Sequence, residues 1–283
     1  MPVPTSDIPE SPMVRHESAA DPFFRLVKIA RTGKQDILLM NWQAHPCRMP
    51  DGSRNKEISP DFIGPLRDIM QEKTGMLFAY FTGTAGNISG DSRMEAFKHG
   101  LIYEQFSQKL AEFALAAMPK LTKIGGCGIR TVTEEFEQPV NHDDEHLAPQ
   151  ARQVVDLWME KGRLPANELG RELGLTSVYH ASAVLGRVSR PATAKLELNA
   201  VAIGELAFVT LPFESFSDHG VYIKQNSPFA NTMVFSCANG GWSYIPTKQA
   251  YEFGCYESYI SYFAKGAGEA VAEEAVQLLK SIR

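Results

Sequence analysis

The sequence predicts an α/β (α+β) fold in which helices flank a mixed β-sheet. Two continuous apolar runs, 37–40 and 76–81, are typical of strands that are buried on both faces. Other segments, such as 267–282, repeat apolar residues at helical spacing. Alternation of such strands and helices along one chain favours helices packed over a mixed sheet.

The elements of the first half follow in an order that agrees with this fold class. Residues 24–29 alternate partly at period two and precede the two buried strands. Ser59 followed by Pro60 resembles an N-cap with proline at the first helical position. A helical stripe continues through 62–69, and a long helix is predicted at about 94–118.

The second half continues the alternation of strands and helices. We predict a strand with one solvated face, two helices, a helix over a more ambiguous stretch, two strands joined at the Gly204-Glu205 turn, another strand and a last helix. In chain order these segments are 129–136, 148–160, 166–173, 176–188, 194–203, 206–211, 233–237 and 267–282.

Composition places the chain among globular proteins. Its 283 residues are 44% hydrophobic and 22% charged, which excludes disorder throughout the chain and a coiled coil. Residues 1–20 carry four prolines and are predicted to form a flexible arm, whereas 21–283 form one domain. The four cysteines show no CxxC spacing and are interpreted as buried free thiols in a reducing compartment.

Charge and hydropathy patterns disfavour two classes of partner. The net charge is -5 and no basic patch stands out, so nucleic acid is not expected as a partner. No apolar run approaches the roughly 20 residues of a membrane-spanning helix. The N-terminus lacks the pattern of a signal peptide, which favours a cytoplasmic location.

Four predicted strands end in polar segments, and these carry the candidate chemistry. They lead into His45, the glycine-rich loop 83–91, Glu214 and a segment that contains Tyr244. Parallel strands would bring these ends to one edge, where functional sites of α/β sheets gather. From the residues alone, other readings stay open for each: a satisfied histidine, the first-turn carboxylate of a helix, and a core aromatic.

The remaining motifs mainly exclude common classes of nucleotide-binding and hydrolytic sites. Three glycines in 83–90 allow close backbone approach to a ligand, but the loop lacks the Gly-Lys-Ser/Thr ending of a P-loop. Neither HExxH nor GxSxG occurs in the sequence. The acidic run 142–146 is interpreted as a solvated turn before a helix rather than as metal ligands, and His180 and His219 receive no role.

Taken in order, the strand ends resemble the neutral/alkaline non-lysosomal ceramidase family. The similar features are an apolar strand leading into His-Pro, an Asp-Phe helix start, a glycine loop ending in serine, a Pro-x-Glu, an Asn-Gly-Gly-Trp-Ser stretch leading to Tyr-Ile-x-Thr, and a Tyr-Glu. They lie at 38–46, 59–64, 83–89, 212–214, 238–247 and 256–257.

The resemblance implies the later portion of a ceramidase catalytic domain, and a zinc amidase of sphingolipid metabolism that cleaves an N-acyl amide such as a ceramide-like lipid. It implies that His45, Glu214 and Tyr244 bind Zn²⁺. It further implies that Ser89 belongs to the active site and that the Tyr256 hydroxyl stabilises the oxyanion.

The chain departs from the family pattern at three places. The family takes another zinc-binding histidine from an upstream Thr-His-Thr-His segment, and no Thr-His dipeptide occurs here. Asn87 replaces the usual aspartate, and Phe213 replaces a glycine. We therefore expect impaired activity of this chain alone. The alternatives are a non-catalytic remnant that binds lipid or metal, and a split hydrolase completed by a second chain.

Overall fold

The computed structural model describes residues 20–47, 58–88, 103–125 and 128–283. The arm predicted at 1–20 lies outside these ranges apart from Ala20. The strands of the first sheet are β1 (Arg25–Ile29), β2 (Ile37–Trp42) and β3 (Leu77–Thr82). They lie in the order β1-β2-β3, with β2 antiparallel to β1 and parallel to β3.

Two helices pack with this sheet and form its core. They are α1 (Ile63–Thr74) and α2 (Tyr103–Ala117), and a 3₁₀ turn at Met118–Lys120 follows. The start of the long helix predicted at 94–118 lies outside the described residues. Side chains from both layers are buried together: Leu38, Met40, Phe62, Leu66, Met70, Phe78 and Leu110. The apolar stripes of the sequence therefore form this core.

The predicted N-cap at Ser59 is wrong, because α1 begins at Ile63. The Ser59 hydroxyl instead accepts a hydrogen bond from the Asp61 N–H at 3.0 Å, closing a turn before the helix. Asp61 has a φ of 52°, and its carboxylate accepts a hydrogen bond from the Phe62 N–H at 2.7 Å. Aspartate tolerates this left-handed conformation better than most residues.

The second sheet consists of β4 (Ile129–Pro139), β5 (Thr193–Ile203), β6 (Leu206–Leu211) and β8 (Asn231–Ser236). The strands lie in the order β4-β5-β6-β8, with β6 parallel to β8 and the other pairs antiparallel. The predicted turn at Gly204 is confirmed, with a φ of 57° between β5 and β6. Apolar residues of the sheet and the last helix share one core. The two helices of this part of the chain are α6 (Ser217–Asn226) and the last helix, α9 (Ala267–Ser281).

A helical lobe (residues 148–188) is inserted between β4 and β5 and has its own core. The prediction of a helix over 176–188 is confirmed. The lobe contains α3 (Ala148–Lys161), α4 (Arg163–Glu172) and α5 (Val178–Val188). A 3₁₀ turn at Glu145–Leu147 leads into it. The predicted fold class, a mixed α/β arrangement with helices beside the sheets, is thus confirmed.

Asn41 joins the two sheets. Its buried amide donates hydrogen bonds to the carbonyl oxygens of Phe81 and Val234, at 2.9 and 3.0 Å. Next to this bridge, the rings of Phe81 and Phe235 stack with centroids 4.3 Å apart. These contacts set the parallel pair β2/β3 beside the parallel pair β6/β8.

Short elements follow the carboxyl ends of the strands. A two-residue parallel pair joins β7 (Glu214–Ser215) to β9 (Tyr244–Ile245). Two short helices come next, α7 (Lys248–Phe253) and α8 (Tyr256–Ile260). Among the helices of the described ranges, none combines the length and apolarity needed to cross a bilayer.

Replacing Asn41 by alanine should destabilise the protein. The substitution leaves two buried carbonyl oxygens without their shared donor, and we expect the free energy of unfolding to fall by about 1–3 kcal/mol. Urea unfolding measures the change. The matched control is Asn226→Ala, because exposed Asn226 donates only along its own helix, to Tyr222 O. Equal effects of the two substitutions would contradict a bridging role for Asn41.

Candidate active site at the strand ends

Four residues predicted from the sequence lie together beyond the carboxyl ends of the strands. The Nε2 atom of His45 is 3.4 Å from Oε2 of Glu214. Glu214 is the register partner of Tyr244 in the β7/β9 pair, and the Tyr244 ring stacks with the His45 ring at 6.4 Å. The Tyr256 ring lies edge-on to Tyr244 at 6.1 Å. An imidazole, a carboxylate and two phenols therefore share one site.

The loop after β3 holds His45 from both its backbone and its ring. The His45 N–H donates a hydrogen bond to Ile88 O at 3.1 Å, and Nδ1 lies 3.3 Å from Ala85 O. A hydrogen on Nδ1 would serve that carbonyl and leave the Nε2 lone pair facing Glu214. Metal-binding histidines in proteins are oriented in the same way, by a carbonyl on the other ring nitrogen.

Gly86 allows this loop to touch the strand that carries Glu214. Its N–H donates a hydrogen bond to Ser215 O at 2.8 Å. A Cβ atom at position 86 would stand 2.4 Å from the Glu214 carbonyl oxygen, so a larger side chain cannot fit without movement. The glycine loop does permit a close approach, as expected, but the approach that the structure shows is to the protein backbone.

Asn87 and Phe213, two departures from the family pattern, have structural explanations. The side-chain oxygen of Asn87, Oδ1, accepts a hydrogen bond from the Ser217 N–H at 2.7 Å and so caps the start of α6. Its side-chain nitrogen, Nδ2, donates to the Asp218 carboxylate at 3.4 Å. An aspartate at position 87 would set a second carboxylate against Asp218. Phe213 is buried and packs edge-on against Phe263 at 5.4 Å, so it fills the core beneath the site.

The alternative interpretations of Glu214 and Tyr244 fit the structure poorly, whereas His45 has a partner at each ring nitrogen, Ala85 O and Glu214. Glu214 lies in β7, before α6 begins at Ser217, and so is not a first-turn helix carboxylate. Its N–H donates a hydrogen bond to Ser243 O at 3.0 Å. Tyr244 and His45 are half-buried, with part of each side chain open to solvent. None of the three is a core side chain.

The electrostatics of the site favour protonated phenols. Burial raises the pKa of Tyr244, and the nearby Glu214 carboxylate raises it further and accepts its hydrogen bond. Burial also raises the pKa of Tyr256, together with Tyr179, Glu257 and Glu214. Among the ion pairs of the described ranges, Glu214 is paired with His45 and with no lysine or arginine. The carboxylate thus lacks a fixed positive partner.

The donor set is unusual for a protein metal site. Among the residues described, no group of three or more His, Cys, Asp and Glu side chains is arranged to hold a metal ion. The site offers one histidine and one glutamate, and a phenol would be the third donor. Ser89, the remaining predicted site residue, lies outside the described residues, so its role stays a prediction.

The cysteine prediction is wrong for two residues. Cys47 and Cys237 are exposed, Cys255 is half-buried, and Cys127 lies outside the described residues. The Cys237 thiol follows β8 beside the site. Although the residue as a whole is exposed, its Sγ atom is directed at Phe213 O at 3.6 Å. Burial of the thiol and the Glu214 carboxylate raise the pKa of Cys237 to about 11. Its position directly after β8, at a strand end, is a sequence feature that it shares with the candidate site residues.

The helical lobe contributes contacts that the sequence did not reveal. Tyr179 in α5 lies edge-on to Tyr256, with ring centroids 6.2 Å apart. In the acidic run 142–146, the solvated interpretation is wrong for Asp144, which accepts hydrogen bonds from buried Arg187 and His180 at 2.7 and 2.9 Å. No local pattern marks such partners, since they are brought together only by folding.

A cavity of about 270 Å³ lies elsewhere on the protein. It is lined by Leu26 of β1, Leu121, and the first residues of β6 and β8, Leu206 and Asn231. It therefore sits at the amino ends of β6 and β8, whereas the four candidate residues follow carboxyl ends. The cavity is separate from the candidate site.

Comparison with solved structures supports the fold. The crystal structure of neutral ceramidase from Pseudomonas aeruginosa superposes with a TM-score of 0.62 and 16% identity, covering 92% of this chain and 46% of that chain. A ceramidase complexed with C2 gives 0.61 and 14%, covering 96% and 50%. No protein-family model and no curated protein sequence matches the chain. The chain thus has part of a ceramidase-like fold and spans about half the length of those chains.

Gly86→Ala should disturb the contact between the glycine loop and β7. The added methyl group meets the Glu214 carbonyl oxygen, and we expect a loss of about 1–3 kcal/mol in the free energy of unfolding, as for other overpacked sites. Urea unfolding provides the measurement. Gly125→Ala is the control, because a Cβ there meets nothing within 4 Å. A Gly86→Ala protein as stable as the control would show that the loop does not press on β7.

Alkylation of Cys237 should reveal its proximity to Glu214. A raised pKa keeps the thiol protonated, so its reaction rate with iodoacetamide at pH 8 should be low and should rise with pH toward about 11. Glu214→Gln removes a negative charge that disfavours the thiolate, so the rate at Cys237 should increase. Mass spectrometry resolves the sites, and Cys47 serves as the internal reference. An unchanged rate of Cys237 alkylation in Glu214→Gln would show that the Glu214 charge does not act on the Cys237 thiol.

Proposed function

We propose that the chain is a zinc-dependent hydrolase of N-acyl amides that resembles neutral ceramidase, with a ceramide-like lipid as its substrate class. The observation that carries the proposal is the convergence of His45, Glu214 and Tyr244 at the strand ends, with the imidazole and carboxylate 3.4 Å apart. The ceramidase-like fold is independent support for a hydrolase.

The distance between His45 and Glu214 fits a shared zinc ion. Two ligands about 2.0–2.1 Å from a tetrahedral zinc ion lie roughly 3.3 Å apart. The observed 3.4 Å is close to that separation, and it is longer than a charge-assisted hydrogen bond of about 2.7–2.9 Å. The direction of the imidazole, set by Ala85 O, also leaves Nε2 available. The separation and direction of these two donors are therefore compatible with a shared zinc ion.

The proposed roles follow from the chemistry of amide hydrolysis. Bound zinc would lower the pKa of water and polarise the substrate carbonyl. Tyr244 would serve as the third ligand, since a cation offsets the burial and the negative charge that otherwise keep its phenol protonated. Tyr256 would donate a hydrogen bond to the oxyanion, a role that its raised pKa favours because the phenol keeps its proton. Ser89 remains a proposed active-site residue.

Low turnover of these 283 residues alone is part of the proposal. The Thr-His-Thr-His segment of the family, which is implied to supply a further ligand and a proton shuttle, has no match in this sequence. Loss of an acid–base group lowers rates by roughly 10²–10⁴-fold. A second chain that supplies such a segment would raise turnover, which is the split-hydrolase form of the proposal.

Zinc content tests the proposal directly. The purified protein, dialysed against zinc and then against buffer, should retain stoichiometric zinc by elemental analysis, whereas His45→Ala and Glu214→Gln should lose it. The control is His142→Ala, because His142 also faces a glutamate, Glu145, at 3.3 Å but has no predicted role in the site. Its zinc content should match that of the unmodified protein.

Two results would overturn the proposal. Absence of zinc from the unmodified protein would favour the reading as a non-catalytic, lipid-binding module, which vesicle or lipid-overlay binding would then test. Zinc that persists in both His45→Ala and Glu214→Gln would place the metal elsewhere. Zinc-dependent release of fatty acid from an N-acyl amide, abolished by the same two substitutions, would complete the support.

A further inference from the structure

Arg187 is a buried guanidinium in α5, with only 1% of its surface exposed. Its Nη1 atom donates hydrogen bonds to two backbone carbonyl oxygens, Tyr259 O at 3.0 Å and Ser261 O at 2.8 Å. Its Nη2 atom donates to the Asp144 carboxylate at 2.7 Å. One side chain of the helical lobe thus holds the end of α8.

The two residues whose carbonyl groups accept these hydrogen bonds lie close to both tyrosines of the candidate site. Tyr256 is the first residue of the five-residue helix α8, and Arg187 holds the other end of that helix. The hydroxyl of Ser261 donates a hydrogen bond to Tyr244 O at 2.9 Å. The segment that Arg187 holds therefore includes the end of α8 and supports the backbone of β9.

Asp144 and His180 fix the guanidinium in turn. The Thr176 N–H donates a hydrogen bond to Nδ1 of His180 at 3.2 Å, so the hydrogen on Nε2 points to Asp144 at 2.9 Å. Burial acts to raise the pKa of Asp144, but hydrogen bonds from His180 and Arg187 outweigh it and lower the pKa below its usual value. The carboxylate stays ionised and orients the arginine.

Gly186 in α5 and Arg190, just after the lobe, contact the segment that carries the two tyrosines. The Arg190 guanidinium lies over the rings of Trp242 and Tyr262, at 5.0 and 4.6 Å. A Cβ at Gly186 would stand 2.8 Å from the Tyr262 hydroxyl, so the helix backbone is pressed against this segment. The lobe is thus packed along 242–262, the stretch that carries both tyrosines.

Stability alone is a weak explanation for a buried arginine at this place. Apolar residues of similar volume often replace buried ion pairs without loss of stability. In addition, Arg187 Nε has no hydrogen-bond partner within the described residues, which is an energetic cost. The planar guanidinium does provide several donors in fixed directions, which suits the orientation of a backbone segment.

We propose that Arg187, oriented by Asp144 and His180, is a positioning residue that sets the location of the Tyr244 and Tyr256 hydroxyls. The catalytic meaning of this placement rests on the proposed function, but the placement itself does not. A displacement of about 1 Å at a reacting group lowers rates by up to about 100-fold. Arg187 therefore controls the site without touching the substrate.

Fluorine NMR of 3-fluorotyrosine-labelled protein tests the placement without metal or substrate. Tyrosine-to-phenylalanine variants assign the resonances of Tyr244, Tyr256 and Tyr222. Arg187→Lys and Asp144→Asn should shift or broaden the resonances of Tyr244 and Tyr256 and leave that of Tyr222, an exposed residue of α6, unchanged. Glu252→Gln is the control, because it breaks only the exposed ion pair with Lys265.

Unchanged Tyr244 and Tyr256 resonances in a folded variant would overturn the proposal. Changes that include Tyr222 would also overturn it, since they would indicate general loosening of the fold. Far-UV circular dichroism verifies folding. If Arg187→Lys fails to fold, Asp144→Asn decides the question, because it keeps the arginine and removes only the charge that orients it.

Zinc and turnover measured on the same samples separate this proposal from the proposed function. Arg187→Lys should lower kcat by about 10- to 100-fold with KM unchanged. Any loss of zinc from this variant should accompany a shift of the Tyr244 resonance, because Tyr244 is a proposed ligand. Loss of zinc from Arg187→Lys, with Tyr244 and Tyr256 undisturbed, would overturn the positioning role. Absence of zinc from every sample, including the unmodified protein, would overturn the proposed function and leave the NMR result to judge the positioning role.

Discussion

The candidate site depends on a backbone contact between two parts of the fold. Gly86, in the loop after β3, donates to Ser215 in β7, and the loop in turn holds His45. That contact fixes the position of the imidazole, which follows β2, relative to the carboxylate of Glu214. Because a Cβ would block the approach, the absence of a side chain at one position makes the site geometrically possible.

Three structural units contribute to this site in different ways. His45 follows β2 of the first sheet, and the two-residue pair β7/β9 provides Glu214 and Tyr244, while Asn41 holds the two larger sheets side by side. The helical lobe contributes no proposed ligand; it contacts the tyrosine-bearing segment through Arg187. The ligand atoms and their support are therefore supplied by separate units of the chain.

Much of the fold was predictable because its elements have strong local signals. The buried strands, the Gly204 turn and the helix at 178–188 follow from apolar periodicity and glycine chemistry. The meeting of His45 with Glu214 was predictable from strand ends, although strand direction was not visible. The pairing of Asp144 with Arg187 and the contact of Tyr179 with Tyr256 were not predictable, because both join segments that only tertiary packing brings together. Ser59 was misassigned because its hydroxyl serves a turn two residues away.

The insertion of the lobe between two paired strands has an evolutionary consequence. Because β4 and β5 remain in register from Ile129 opposite Ile203 to Pro139 opposite Thr193, the intervening helices form an excursion whose length does not affect the sheet. Helices of other lengths could occupy this excursion while β4 and β5 keep their pairing. The size of the lobe is thus separated from the register of the sheet, whereas its contact with the tyrosine-bearing segment still passes through Arg187.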